Sequence, residues 1–192
     1  MKKFVKVMNI FKDNRGVSLL ELIVATSIFV TVILMATNIF NAVVKNQRIA
    51  IAAQNTQEGL RFALEVMSKE IRNAKGHYTG SVCPVAGQIN KIYNSSALSN
   101  VYFENSENSC VTYSLDNGRI LIDRDGESYY ITPQNINITS LKFDIVDDLA
   151  NTFRTTQAKV TIKVEAKMET VREEESQPII LQTTVSSRYY GT

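Results

Sequence analysis

The chain has 192 residues, 44% of them apolar, with two cysteines, no tryptophan and a formal net charge of +2. The charge is uneven, because the first 16 residues carry five basic side chains against one acidic side chain, namely Lys2, Lys3, Lys6, Lys12 and Arg15 against Asp13. The remaining residues therefore sum to −2, which argues against nucleic-acid binding by the folded part. The length allows one modest soluble domain beside a membrane helix.

An uncharged run from Leu22 to Val44 follows the basic segment. As a helix it would be about 34 Å long, enough to cross a hydrocarbon core of roughly 30 Å. Basic residues in front of such a run place that end in the cytoplasm, so the rest of the chain is expected outside it. An ordinary secretory signal has a shorter apolar region with its cleavage site behind it. A plain single-pass anchor stays open as an alternative.

The start of this run, Gly16-Val17-Ser18-Leu19-Leu20-Glu21-Leu22, resembles the processing site of type IV prepilins and type II secretion pseudopilins. In that family a peptidase cuts after the Gly, the new N-terminal residue is often methylated, and the fifth mature residue is Glu. The resemblance implies cleavage after Gly16, N-methylation of Val17 and a role in assembly for Glu21. Two positions depart from the family pattern: Val17 replaces the frequent Phe, and Asn38 replaces the helix-kinking Pro of major pilins.

The resemblance also implies a function, a location and partners. The chain would be a structural subunit, and a minor one, of a type IV pilus or type II secretion pseudopilus. It would begin in the inner (cytoplasmic) membrane with its N-terminus in the cytoplasm, and end in a periplasmic or extracellular filament. Its partners would be a prepilin peptidase, other pilin or pseudopilin subunits, an inner-membrane assembly platform with its ATPase, and membrane lipid. A nucleic-acid partner is not expected.

The helix is predicted to continue past the apolar run, over residues 45–75. Apolar side chains recur there with the spacing of an amphipathic helix, at Leu60, Ala63, Leu64, Met67, Ile71 and Ala74. Gly59 weakens this pattern by about 1 kcal/mol relative to Ala. Lys75 and Gly76 supply a basic last residue and a glycine stop. The prediction is one helix of about 55 residues whose second half packs on a sheet.

The remaining residues, 76–192, are predicted to form an antiparallel β domain. Hairpin turns are predicted at Asp116-Asn117-Gly118 and Asp125-Gly126. The predicted strands are Val101–Glu104, Cys110–Leu115, Arg119–Asp123, Ser128–Thr132, Leu141–Ile145, Val160–Met168 and a last one from Ile179 to Tyr190, with a further short strand considered at Ile89–Tyr93. The fold class is therefore α+β, and the order of elements resembles the pilin fold. The stretches Leu64–Arg72, Val160–Met168 and Ser187–Tyr190 resemble, more loosely, PilW-like minor pilins and J-type minor pseudopilins.

The two cysteines, Cys83 and Cys110, both lie in the exported part. In an oxidising compartment such a pair often forms a disulfide, here worth roughly 3 kcal/mol, although two free thiols remain the alternative. A metal site is not expected, because His77 is the sole histidine and the cysteines are isolated. The acidic residues from Asp123 to Glu127 do not have EF-hand spacing. No nucleophile and base can be combined into a catalytic set, so neither an enzyme nor a cofactor is predicted.

Two further functions remain open from the sequence. A DNA-uptake or adhesive pilin would share the processing site but would need a basic or aromatic patch on the mature domain. An uncleaved single-pass protein would hold an extracytoplasmic domain at the membrane without assembling. The four predicted regions are residues 1–16 (leader), 17–44 (membrane and assembly helix), 45–75 (amphipathic helix) and 76–192 (β domain).

Overall fold

A computed structural model describes residues 16–76, 83, 91–147, 157–168 and 178–188. The contacts divide the chain into two compact units, residues 1–46 and 47–192. Several predicted features lie outside the described residues: most of the leader, His77, the start of the short strand considered at Ile89–Tyr93, and the last residues of the predicted final strand.

A single helix, α1, runs from Leu19 to Arg72. In the second unit one face of it is buried, and all six residues of the predicted apolar stripe lie in the core: Leu60, Ala63, Leu64, Met67, Ile71 and Ala74. The helix closes with tighter turns, in which the N–H groups of Asn73 and Ala74 donate to carbonyls three residues earlier. Lys69 and Arg72 lie in the last turn, where positive charge is favourable. The amphipathic half of the predicted helix is confirmed.

Sheet A is an antiparallel meander of four strands in chain order. Its strands are β1 (Val101–Glu104), β2 (Cys110–Asp116), β3 (Arg119–Arg124) and β4 (Glu127–Tyr130). Both predicted hairpin turns are present. Asn117 and Gly118 have φ values of 45° and 71°, and Asp125 and Gly126 have φ values of 51° and 92°, as the tight turns between twisted strands require.

Sheet B has three antiparallel strands in the order β5-β6-β7. They are β5 (Ile136–Val146), β6 (Lys159–Met168) and β7 (Ile179–Ser186). Burial alternates along β5 and β6, so one face of the sheet packs on the core and the other meets solvent. A register shift between Ile138 and Ser140 marks a bulge in β5.

The α+β class is confirmed, but the strands form two antiparallel sheets rather than the one sheet on which the helix was expected to pack. The link after β4 contains Pro133, and the chain turns there, with the Ile136 N–H approaching the Pro133 carbonyl. As a result, β5 does not continue sheet A. Its outer edge instead meets the β2–β3 turn and a loop, because Ile138 N–H donates to the Gly118 carbonyl at 2.7 Å and Phe143 N–H donates to the Leu98 carbonyl at 2.8 Å.

The core of the second unit joins the buried face of α1 to the inner faces of both sheets. Its largest buried side chains include Tyr93, Phe103 and Tyr113, whose rings are arranged edge-to-face and then stacked at centroid distances of 6.2 Å. The Tyr93 hydroxyl donates to the Ile71 carbonyl at 2.7 Å. This bond satisfies a buried hydroxyl, and the Ile71 carbonyl accepts it in addition to the Ala74 N–H.

Candidate assembly site on the apolar helix

The predicted cleavage point lies just before the helix. Gly16, Val17 and Ser18 precede α1, and the first helical hydrogen bond runs from Leu22 N–H to the Ser18 carbonyl at 3.1 Å. Ser18 therefore occupies the N-cap position, for which serine is well suited. The peptide bond between Gly16 and Val17 lies outside the helix. In the uncleaved chain Val17 thus does not lie on a helical face with Glu21.

Glycine at position 16 has no structural requirement in the folded chain. A Cβ built at Gly16 would meet no atom within 4 Å, and its φ is not in the left-handed region. The hairpin turns of sheet A, by contrast, do require their glycines, since Gly118 and Gly126 have positive φ. An exposed glycine that the fold does not need can be replaced without disturbing the structure, so any effect of replacing it reports on recognition.

Glu21 lies in the first turn of α1 and is exposed. Ser18 and Glu21 have the spacing of a capping box, in which the glutamate would accept a bond from the N-cap amide. That bond is not formed, and the Glu21 carboxylate has no hydrogen bond or ion pair within the described ranges. Its negative charge near the helix N-terminus is favourable. The carboxylate remains available to an outside cation or donor.

The first unit presents a long apolar surface. By length and composition alone, α1 is the one helix of the described part that could cross a membrane, and none of its most apolar stretch is buried. Its large exposed side chains include Leu22, Ile23, Ile28, Phe29, Val30, Ile33, Leu34, Ile39 and Phe40. An exposed apolar area of this extent marks a surface that lipid or protein covers.

The hydroxyl groups within this run are satisfied inside the helix. Thr26 and Ser27 donate to carbonyls three residues earlier, and Thr31 and Thr37 to carbonyls four residues earlier, at 2.8–3.0 Å. Polar groups bonded in this way need no water, which suits a helix in an apolar environment. Their small size also allows a second helix to approach closely.

The disulfide considered from the sequence is present. Cys83 and Cys110 are bonded, with their Cα atoms 5.4 Å apart and a sequence separation of 27. Cys110 begins β2, and Cys83 is buried. The bond therefore ties Cys83 to the start of β2, an inner strand of sheet A.

Sequence reasoning missed a polar cluster between α1 and sheet A. The Glu70 carboxylate accepts hydrogen bonds from the Tyr113 hydroxyl and the Arg124 guanidinium, and the arginine also forms an ion pair with it. Burial, together with the bond to Glu70 and the negative charge of that residue, raises the pKa of Tyr113. For Arg124 partial burial alone would lower the pKa, but the Glu70 carboxylate together with Tyr129 and Tyr113 outweighs it, and the pKa is raised.

This cluster borders a cleft of about 350 Å³ beside the end of α1. The cleft is lined by charges of both signs, from Lys69, Glu70, Glu107 and Arg124. Since Glu70 and Arg124 are bonded to each other, the arrangement serves to join helix and sheet. No group of three or more metal-ligating side chains occurs among the described residues, and Asp123 and Asp125 belong to no such group.

The comparisons with known proteins gave no match to any protein-family model, curated protein or solved structure.

Proposed function

We propose that this chain is a structural subunit of a type IV pilus or type II secretion pseudopilus, released from its leader by cleavage after Gly16 and assembled through the apolar part of α1. One observation carries the proposal: a basic segment ending in glycine leads into an exposed apolar helix, and its first turn holds a carboxylate, Glu21, that has no partner among the described residues. A simple membrane anchor needs the apolar helix but gives no reason for the carboxylate.

The proposed mechanism is assembly rather than turnover. Cleavage would free the Val17 amine, which is cationic at neutral pH. Two charges of opposite sign attract more strongly in an apolar bundle than in water, so Glu21 would pair with the amine of a neighbouring subunit and set the register between helices. Head-to-tail contacts of this kind generate a helical filament when the rotation between copies does not close into a ring. The partners would be the peptidase, further subunits, the assembly platform with its ATPase, and lipid.

The first experiment measures the intact mass of the chain recovered from membranes, with and without a co-expressed prepilin peptidase. The expected result is loss of residues 1–16, with one additional methyl group on Val17. The variant Gly16→Ala should stay uncleaved while keeping the fold, because the added Cβ meets nothing. A full-length mass with a peptidase that cleaves a control prepilin would refute the proposal and support an uncleaved membrane-anchored domain.

A second experiment separates cleavage from assembly. Glu21→Gln keeps the size of the side chain and removes its charge, so the variant should be cleaved normally but recovered poorly in filaments. Glu65→Gln is the matched control, because Glu65 is also exposed on α1 but lies on its amphipathic half. Equal filament recovery for both variants would contradict the role of Glu21.

A further inference from the structure

The two sheets together have four edge strands, and two of these are already covered. Along β1, Tyr102 exchanges backbone hydrogen bonds with Asn94 at 2.9 and 3.0 Å, and the Glu104 carbonyl accepts the Lys75 N–H at 2.9 Å. Along β5, the Gly118 and Leu98 carbonyls accept N–H groups of the strand. Covered edges of this kind cannot pair with another chain.

The third edge, β7, has no backbone pairing on its outer side among the described residues, and its own sequence carries none of the usual protection. Its eight residues, Ile179 to Ser186, include no charged residue, proline or glycine, and most are β-branched. Ile180 remains 57% exposed. Natural edge strands are commonly blocked by lysine, proline, a bulge or a short length, and a strand without these devices is suited to pairing.

The backbone geometry identifies which amides of β7 are available. Ser187 N–H donates to the Ala158 carbonyl at 2.9 Å, and the β6–β7 register is unbroken. Because alternate residues of a strand direct their N–H groups to opposite sides, Leu181, Thr183 and Val185 face β6. The N–H groups of Ile180, Gln182, Thr184 and Ser186 point away from the sheet, and no described residue pairs with them.

The fourth edge, β4, likewise has no outer strand partner within the part of the chain that the structure describes. All four of its residues are exposed, including Tyr129 and Tyr130. Ile131 N–H donates to the Ile120 carbonyl at 3.0 Å, so by the same alternation Ser128 and Tyr130 direct their N–H groups outward. Each sheet thus ends in one open strand, and the two open strands differ from each other in sequence.

We propose that the outer edge of β7 pairs with β4 of a second copy of this chain, so that sheet B of one copy and sheet A of the next form one continuous sheet. Because β7 has no charged side chain, it places no like charge opposite β4. Pairs between aromatic and β-branched side chains are also favourable in sheets. Two different edges on one chain make a heterologous contact, which can repeat from copy to copy along a filament.

This inference rests on the proposed function for its strength. A four-residue pairing is weak by itself, but copies held side by side by their helices meet at a high effective concentration. The two proposals can be refuted independently of each other. Cleavage is measured at the bond between residues 16 and 17, whereas strand pairing is measured by the exchange of the amides of β4 and β7.

The test is hydrogen–deuterium exchange of the full chain in lipid vesicles, compared at low and high protein-to-lipid ratio. At high ratio we expect exchange of the outward amides on both β7 and β4 to slow by about tenfold or more, which corresponds to about 1.4 kcal/mol of pairing. The inward amides of Leu181, Thr183 and Val185 should be protected at both ratios and serve as the internal reference for an intact sheet.

A matched pair of variants tests the strand contact directly. Gln182→Pro removes one outward N–H without touching the β6–β7 ladder, whereas Gln182→Thr keeps the N–H and suits a strand. The proline variant should lose the added protection on β4, which lies on the other copy, and the threonine variant should keep it. Unchanged exchange at high ratio, or protection on β7 without protection on β4, would overturn the proposal.

Discussion

Gly59 offers a sharp test of how α1 packs on its own domain. A Cβ at this position would lie 2.5 Å from the Cδ1 atom of Ile136, and 3.6–3.7 Å from ring atoms of Pro133. Carbon atoms in ordinary contact are about 3.5–4.0 Å apart, so only the Ile136 methyl group conflicts. Ile136 is buried at the start of β5 and has little freedom to move. Glycine therefore allows the strand to approach the helix.

Two opposing effects determine the result of Gly59→Ala. Alanine in a helix interior is favoured over glycine by about 1 kcal/mol. Overpacking in a filled core costs about 1–3 kcal/mol. With 2 kcal/mol as a middle value for the conflict, Gly59→Ala should destabilise the second unit by about 1 kcal/mol. Ile136→Val removes the conflicting methyl group and by itself should cost about 0.5–1.5 kcal/mol.

The double variant distinguishes this explanation from simple helix propensity. In the Ile136→Val background, Gly59→Ala should stabilise by up to about 1 kcal/mol, so the two changes couple by about 2 kcal/mol. The assay is urea unfolding of the full chain in detergent, followed by near-ultraviolet circular dichroism of the tyrosines, since the chain has no tryptophan. Equal effects of Gly59→Ala in both backgrounds would refute the packing argument.

Three further predictions concern the second unit. The pKa of Tyr113 in the folded chain lies above its unfolded value near 10, so the stability that this residue contributes is complete below about pH 10 and is lost as the pH rises further. In urea unfolding at pH 8–11, the stability difference between wild type and Tyr113→Phe should therefore shrink above pH 10, and a difference that does not change with pH would contradict this. Gly118→Ala should lower the free energy of unfolding by roughly 1–2 kcal/mol because of its positive φ, and by more because the added Cβ would lie 2.5 Å from the Asn137 Oδ1 atom. Gly126→Ala is the control: its φ is also positive but the space around it is open, so this variant should lose less stability. Replacing both cysteines of the Cys83–Cys110 disulfide by serine should lower the free energy of unfolding by about 3–4 kcal/mol, and a loss below 1 kcal/mol would mean that the loop is already ordered without the bond.

Local sequence signals predicted much of this fold. The spacing of Leu60, Met67 and Ile71 indicated a buried helical face, and all three are fully buried. The Asn117-Gly118 turn was predictable because few other residues tolerate two successive positive φ values. Period-two alternation in β6 likewise indicated its buried side. Each of these signals depends on neighbours within a few positions of the chain.

The features that were missed depend on distant pairings. The separation into two sheets depends on where β5 leaves the meander, and alternation within a strand does not show which edge it joins. The Glu70 cluster brings together residues 43 and 54 positions apart. The sequence does carry one signal for this cluster, because Glu70 directly precedes the buried Ile71 and so lies at the border of the buried helix face. Its partners could not be read from the sequence without the register of β2 and β3.

The two halves of α1 differ in what covers them, and this difference constrains the proposed assembly. Residues from Thr56 to Ile71 bury one face against their own domain, whereas the large apolar side chains from Leu19 to Phe40 remain exposed. Lipid alone could cover the second set, since every hydroxyl bond found there is internal to the helix. Lipid tails supply no cation for Glu21, however, and a neighbouring mature subunit would supply one at its amine. The carboxylate would then favour a subunit over lipid at one end of the helix, which makes Glu21→Gln the variant that separates anchoring from assembly.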